Sequence, residues 1–159
     1  MKAQFLREEA GEKYFYCVFV DITDSKLLQE HVKELYEQEM AYFASLSSSE
    51  NSIQGRFNVT GNRLENYLCT SDTAIARVGD SYDETIKYFS ESAVEPEDAE
   101  LIRDTLERKK VLADYAAGKA DYQFSFLRKR NDGSNFWGNT SFRFCTNPET
   151  GEVVAFSIQ

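Results

Sequence analysis

The sequence predicts an α+β fold: a five-stranded antiparallel sheet with helices on one face, preceded by an extra strand and a long linker helix. Three observations predict it. The last third runs Tyr122-Gln-Phe-Ser-Phe126, a turn at Asn131-Asp-Gly-Ser134, Phe136 to Phe144, a turn at Asn147-Pro-Glu-Thr-Gly151, and Val153 to Ile158. Aromatic and β-branched residues alternate with polar ones in these runs, and each break carries residues that tolerate tight-turn dihedrals, so this is a three-stranded meander. A second hairpin precedes it and helical stretches lie between, an order that sets helices against a sheet built from both pieces.

Taken from the N-terminus, residues 13–20, ending Tyr14-Phe-Tyr-Cys-Val-Phe-Val20, read as a strand. It has no evident partner, so it is expected to add to an exposed sheet edge, in its own chain or a neighbour's. Asp21-Ile-Thr-Asp24 then offers several N-cap side chains, and from Ser25 to about Leu46 there is no Gly or Pro. Leu28, Val32, Leu35, Tyr42 and Leu46 recur at steps that make an apolar seam, broken once by Glu39. The preferred reading is a linker helix over 25–46 that pairs with its copy in a dimer; packing on its own domain is the alternative.

Residues 47–52 form a polar break, and the main domain is expected over 52–159. Gln54 to Asn58 and Arg63 to Leu68 read as a hairpin turning at Val59-Thr-Gly-Asn62. Ser81-Tyr-Asp-Glu84 has a capping-box pattern, with Tyr82, Ile86 and Phe89 following at helical spacing. Pro96 suits a first helical turn, and acidic Glu97, Asp98 and Glu100 follow it. Leu101, Ile102, Leu106, Leu112 and Ala116 are expected as the buried stripe of a helix running to Gly118, with Arg103, Glu107, Arg108, Lys109 and Lys110 on its solvated face.

With 159 residues, 42% of them hydrophobic, and 12 Phe and 9 Tyr, the chain is long enough for one domain with a real core plus a modest extension. A net charge of −9 argues against binding nucleic acid through its phosphates. Cys17, Cys69 and Cys145 are odd in number and lack metal-ligand spacing, which argues against a disulfide framework or zinc and for a reducing, cytoplasmic setting. No apolar run is long enough to span a bilayer or to serve as a signal peptide, so no membrane contact is expected. No phosphate-binding glycine loop, metalloprotease motif or nucleophile elbow occurs, and His31 is the only histidine, so no catalysis is expected.

A ligand, if one binds, is expected between the sheet and the helices. Period two puts Tyr122, Phe124 and Phe126 on one face of their strand, Gly138, Thr140, Phe142 and Phe144 on one face of the next, and Val154, Phe156 and Ile158 on one face of the last. Apart from Ile158 these are the candidate ligand-binding residues; the alternative is that they simply fill the core against Ile86, Phe89, Leu101 and Ile102. Gly138 and Thr140 are the small ones that could leave room. Trp137 and Asn139 are expected on the other face.

Phe124 to Arg130, Asn131-Asp-Gly-Ser134, Trp137 and Glu149-Thr-Gly-Glu-Val-Val154 together resemble the C-terminal half of a PAS domain. The strand before Asp21-Ile-Thr-Asp24 is similar to the end of a preceding PAS domain, joined there to a signalling helix. The resemblance covers 52–159 as one almost complete domain and 1–24 as the terminal strand of another. It implies a bacterial sensory or signal-relay module that binds a small ligand or partner and acts as a homodimer on an effector elsewhere in its parent. That parent would be a diguanylate cyclase with a GGDEF domain or, less often, a histidine kinase. A ligand-free PAS module used for dimerisation and spacing is the alternative. Asn66-Tyr-Leu-Cys69 departs from the segment that bonds flavin in light-sensing members, and no histidine lies in the domain to ligate haem, so covalently linked flavin and haem are not expected.

Overall fold

The computed structural model describes residues 2–9, 11–18, 21–45, 52–69 and 75–159. By contacts the chain divides into two compact units, residues 1–31 and 32–159.

The first unit opens with a hairpin. Strand β1 (Lys2–Glu9) pairs antiparallel with β2 (Glu12–Val18) from Lys2↔Val18 to Glu9↔Glu12, with an irregularity between Phe5 and Arg7. The strand expected over 13–20 therefore does not join the edge of a larger sheet; it forms a two-stranded sheet with β1. Its last two residues lie outside the described ones. The partner escaped notice because Lys2 to Glu9 has no clear period-two alternation; the backbone ladder makes the pairing. Helix α1 (Thr23–Ser45) starts on an Asp21 cap, whose Oδ1 accepts from the Thr23 amide at 2.9 Å and hydroxyl at 2.7 Å.

In the second unit the strands are β3 (Ile53–Asn58), β4 (Arg63–Cys69), β5 (Asp121–Lys129), β6 (Asn135–Thr146) and β7 (Val153–Ile158). They form a single antiparallel sheet in the order β4-β3-β7-β6-β5. The fold is the α+β arrangement the sequence predicts, the early hairpin joining the late meander through β3 and β7. Three helices, α2 (Tyr82–Glu91), α3 (Pro96–Thr105) and α4 (Arg108–Ala116), cover one face, here the inner face. On the β5 edge, the Val94 amide donates to Leu127 O and the Lys129 amide to Ser92 O, both at 2.9 Å, so the segment after α2 takes up ladder groups the edge would leave open.

Local chemistry explains most boundaries. Ser81 Oγ accepts from the Glu84 amide at 3.1 Å and donates to the Glu84 carboxylate at 2.8 Å, a reciprocal cap for α2. The turn before β4 places Asn62 at φ +51°, while Asn58 Oδ1 holds the Gly61 amide at 2.7 Å. One expected helix is two: the run from Pro96 breaks after Thr105, and Glu107 caps α4 by accepting from the Lys109 and Lys110 amides at 3.2 and 2.9 Å. The break resets the helical phase. Ile102, Leu106 and Val111 become the buried stripe, whereas Leu101 and Ala116, expected inside, are exposed.

The inner core gathers Phe57, Leu64, Tyr82, Ile86, Phe89 and Ile102 with Tyr122, Phe124, Phe126, Phe142 and Phe144. A smaller cluster on the outer face joins Cys145, Val154 and Phe156 to Phe43, with Tyr36 and Met40 against it. The end of α1 thus packs on the sheet, from the side opposite α2 to α4. No helix among the described residues is long and apolar enough to cross a membrane.

Burial raises three protons' pKa values in this core. Tyr82, whose phenol donates to Leu106 O at 2.9 Å, and Tyr122, which donates to Asp114 Oδ2 at 2.6 Å, are both held above the ordinary phenol value. The Cys145 thiol is pushed up to about 12 by desolvation and then by Glu39. The folded state therefore holds these protons more tightly than the unfolded chain, where Cys and Tyr titrate near ~8.5 and ~10. Stability is expected to fall as pH climbs past ~8.5 and to fall more steeply past ~10, by up to about 1.4 kcal/mol per pH unit per group. Denaturant midpoints measured from pH 7 upward check this; a flat profile to ~pH 10.5 contradicts the burial of all three.

Candidate functional site

Between the inner sheet face and α2 lies a small cavity, partly open to solvent. Phe57, Ile86, Phe89 and Phe142 supply apolar walls; Arg128, Thr140 and Gln159 supply the polar side.

Arg128 dominates the electrostatics. It is 1% exposed, near the end of β5, with Nε donating to Ser92 Oγ at 3.0 Å and Nη1 donating to Gln159 Oε1. Its guanidinium carbon lies 5.3 Å from the Phe89 ring centroid and 5.6 Å from that of Phe136. Nη2 is buried without a partner, as are Thr140 Oγ1 and Gln159 Nε2. Burial lowers the Arg128 pKa, opposed in part by the electrostatic influence of Tyr67 and Cys69.

Strand register brings these groups together. Ser141 faces Ile158 across β6 and β7, so Thr140 and Gln159 are the next facing positions. Gly138 is the seat for the cluster: a Cβ there would run into Gln159 Nε2 and stand 3.3 Å from Arg128 Cδ. The space at Gly138 is therefore taken up by the chain's own side chains.

Of the nine candidate ligand-binding residues, Thr140 and Phe142 line the cavity. Tyr122, Phe124, Phe126 and Phe144 face the same side and are packed in the inner core. Val154 and Phe156 face the other way, onto α1. The cause is that β7 is apolar at both parities, Val153-Val-Ala-Phe156, and is buried on both faces; such a run does not say which parity is inward. Val153 and Ala155 pack inward, and Ser157 lines the cavity. Arg128 was legible, since the parity that selects Tyr122, Phe124 and Phe126 continues to it.

The seam expected on α1 is mainly an exposed one. Leu28 is 64%, Leu35 46% and Tyr42 55% exposed, Val32 is half-buried, and Leu46 lies outside the described residues. The packed side is Tyr36, Met40 and Phe43, about a quarter of a turn away at 3.6 residues per turn. Glu39, the break in the seam, sits between the two and accepts from Arg143 Nη1 at 2.7 Å. His31 is exposed. Trp137 is on the outer face and 74% exposed.

No family model matches the chain, and no curated protein sequence matches it. Among solved structures it is similar to the PAS domain of an HTR-like protein from Haloarcula marismortui, at 16% identity, covering 82% of this chain and 96% of that one, with a TM-score of 0.42.

Proposed function

We propose that the chain is a PAS-type sensory or signal-relay module. A small ligand or partner acts on the inner cavity, and its state passes through α1, paired with its copy in a homodimer, to an effector outside this chain. One observation carries this reading: β6 and β7 serve both faces at once. Phe142 and Ser157 line the cavity, while the facing pair Arg143 and Phe156 hold α1. Arg143 reaches Glu39 at 2.7 Å and the Phe156 ring lies 5.2 Å from that of Phe43. A shift of either strand is felt on both sides. Only a ligand that binds one arrangement more tightly than another would use that linkage.

On the sequence resemblance the effector is a diguanylate cyclase or a histidine kinase, and residues 1–24 close a preceding PAS-like domain. The β1–β2 hairpin supports the latter, since β6 and β7 end this domain in the same form. The module itself is non-catalytic and cytoplasmic in this reading. The exposed Leu28, Leu35 and Tyr42 favour dimerisation with or without a ligand, so a spacer is the second reading.

Light scattering over a concentration series tests the dimer. The mass is expected to double, and the combined Leu28→Ser, Val32→Thr and Leu35→Ser variant to remain a monomer with its fold intact. A wild-type chain that stays monomeric at every concentration overturns the relay through paired helices.

A further inference from the structure

Three polar groups at one end of the cavity are buried and unpaired: Arg128 Nη2, Thr140 Oγ1 and Gln159 Nε2. Two can only donate hydrogen bonds and the hydroxyl can donate or accept, so the set is complementary to an acceptor. One of the two belongs to a cation that stays charged in proteins. A guanidinium removed from water without an opposing charge is costly, and Arg128 makes no ion pair among the described residues. Its other nitrogens are already held, by Ser92 and Gln159, which fixes the free N–H in place.

Both Arg128 and Thr140 are more than nine-tenths buried and line the same cavity. The rest of the lining is mainly apolar, with Phe57, Ile86, Phe89 and Phe142, beside the hydroxyl-bearing Tyr67, Thr85 and Ser157. One fixed positive charge, two neutral groups able to donate and an aromatic-lined recess suit a single negative charge carried on an apolar body. A phosphate dianion would bring more charge than the site offers and would set it against hydrocarbon.

Resting on the reading of this cavity as a ligand site, we infer that its ligand is a small organic monocarboxylate. The carboxylate accepts from Arg128, Thr140 and Gln159, and the apolar body lies among Phe57, Ile86, Phe89 and Phe142. The same cluster explains Gly138, because only a residue without a Cβ lets the Gln159 amide and the Arg128 stem lie against β6.

Calorimetry and thermal shift on the full chain test the inference, with phenylacetate and isovalerate as probes. Phenylacetamide is the neutral control, and inorganic phosphate and chloride are the inorganic anions. Phenylacetate is expected to bind and to raise Tm, and phenylacetamide to bind about 10- to 100-fold more weakly, the worth of hydrogen bonds to a charged group. Arg128→Met is expected to fold with Tm equal to or above the wild type when no probe is present, because it removes an uncompensated buried charge, and to lose the response to phenylacetate. Thr140→Val, close to isosteric, is expected to weaken binding several-fold without loss of stability. Equal binding of phenylacetamide or preference for phosphate each overturns the carboxylate assignment. If no probe of any charge binds while the chain still dimerises, the ligand reading itself fails and the spacer stands.

Discussion

Replacing Phe142 with alanine is expected to destabilise the second unit by about 3–5 kcal/mol, the usual cost of emptying a buried phenylalanine site. Phe142 is the ring on which both layers meet. It lies 6.4 Å from Phe57 on β3, 5.8 Å from Phe89 on α2 and 6.3 Å from Phe124 on β5, centroid to centroid. Two of these pairs are edge-on, a geometry that adds to simple area burial. The cavity already beside it means that its neighbours cannot all close in on the space left behind. Urea denaturation read by both fluorescence and circular dichroism measures the loss. Trp137→Ala is the internal control: the largest side chain of the meander is 74% exposed, so its removal is expected to stay within about 0.5 kcal/mol. A Phe142→Ala cost no larger than that of Trp137→Ala would mean that the sheet and α2 are not one core.

The contrast between these two residues shows what the sequence makes legible. On β5 and β6 apolar and polar residues alternate, and the turn between them carries Asp132, whose Oδ1 takes the Ser134 amide at 2.8 Å, followed by Gly133 at φ +86°. Pattern and turn chemistry agree, so the inward positions of the meander's first two strands can be read directly. On β7 they do not constrain the answer, since a central strand covered on both faces has no polar parity, and Val154 and Phe156 fall on the α1 side. The break between α3 and α4 is hidden for a different reason. Glutamate is a weak N-cap signal, and Glu107 among Arg108, Lys109 and Lys110 reads as a solvated charge until its two amide bonds are seen. Helix α1 carries two apolar stripes, and the more regular one is the exposed one. The site is the least legible part: a charged residue at an inward position is passed over in a list built on apolar parity, and the position of Gln159 across from Thr140 needs the strand register.

Phe156→Ala is expected to separate α1 from the sheet while leaving the inner core standing. Phe156 is 2% exposed, between Phe43 at 5.2 Å and Tyr36 at 6.3 Å, and little else of that size fastens the helix. The Arg143–Glu39 pair is short at 2.7 Å, but Arg143 is half exposed and also bonds Asp121 at 2.8 Å, so it contributes up to about 1 kcal/mol. Arg56 Nη1 against Met40 sulfur at 3.7 Å adds a weak contact. Truncating the ring removes interactions worth about 3–5 kcal/mol, more than these can replace. Hydrogen exchange is therefore expected to show amides of residues 36–43 losing protection in the variant, with those of β5 and β6 changing little, because opening is local when the lost contacts belong to one element. Arg143→Ala should reproduce only a small part of the change. Protection lost evenly across the sheet and α1 would instead make the helix an integral part of the core. A helix that cannot move without unfolding the domain cannot carry a signal from it, and the relay through α1 would fall with that result.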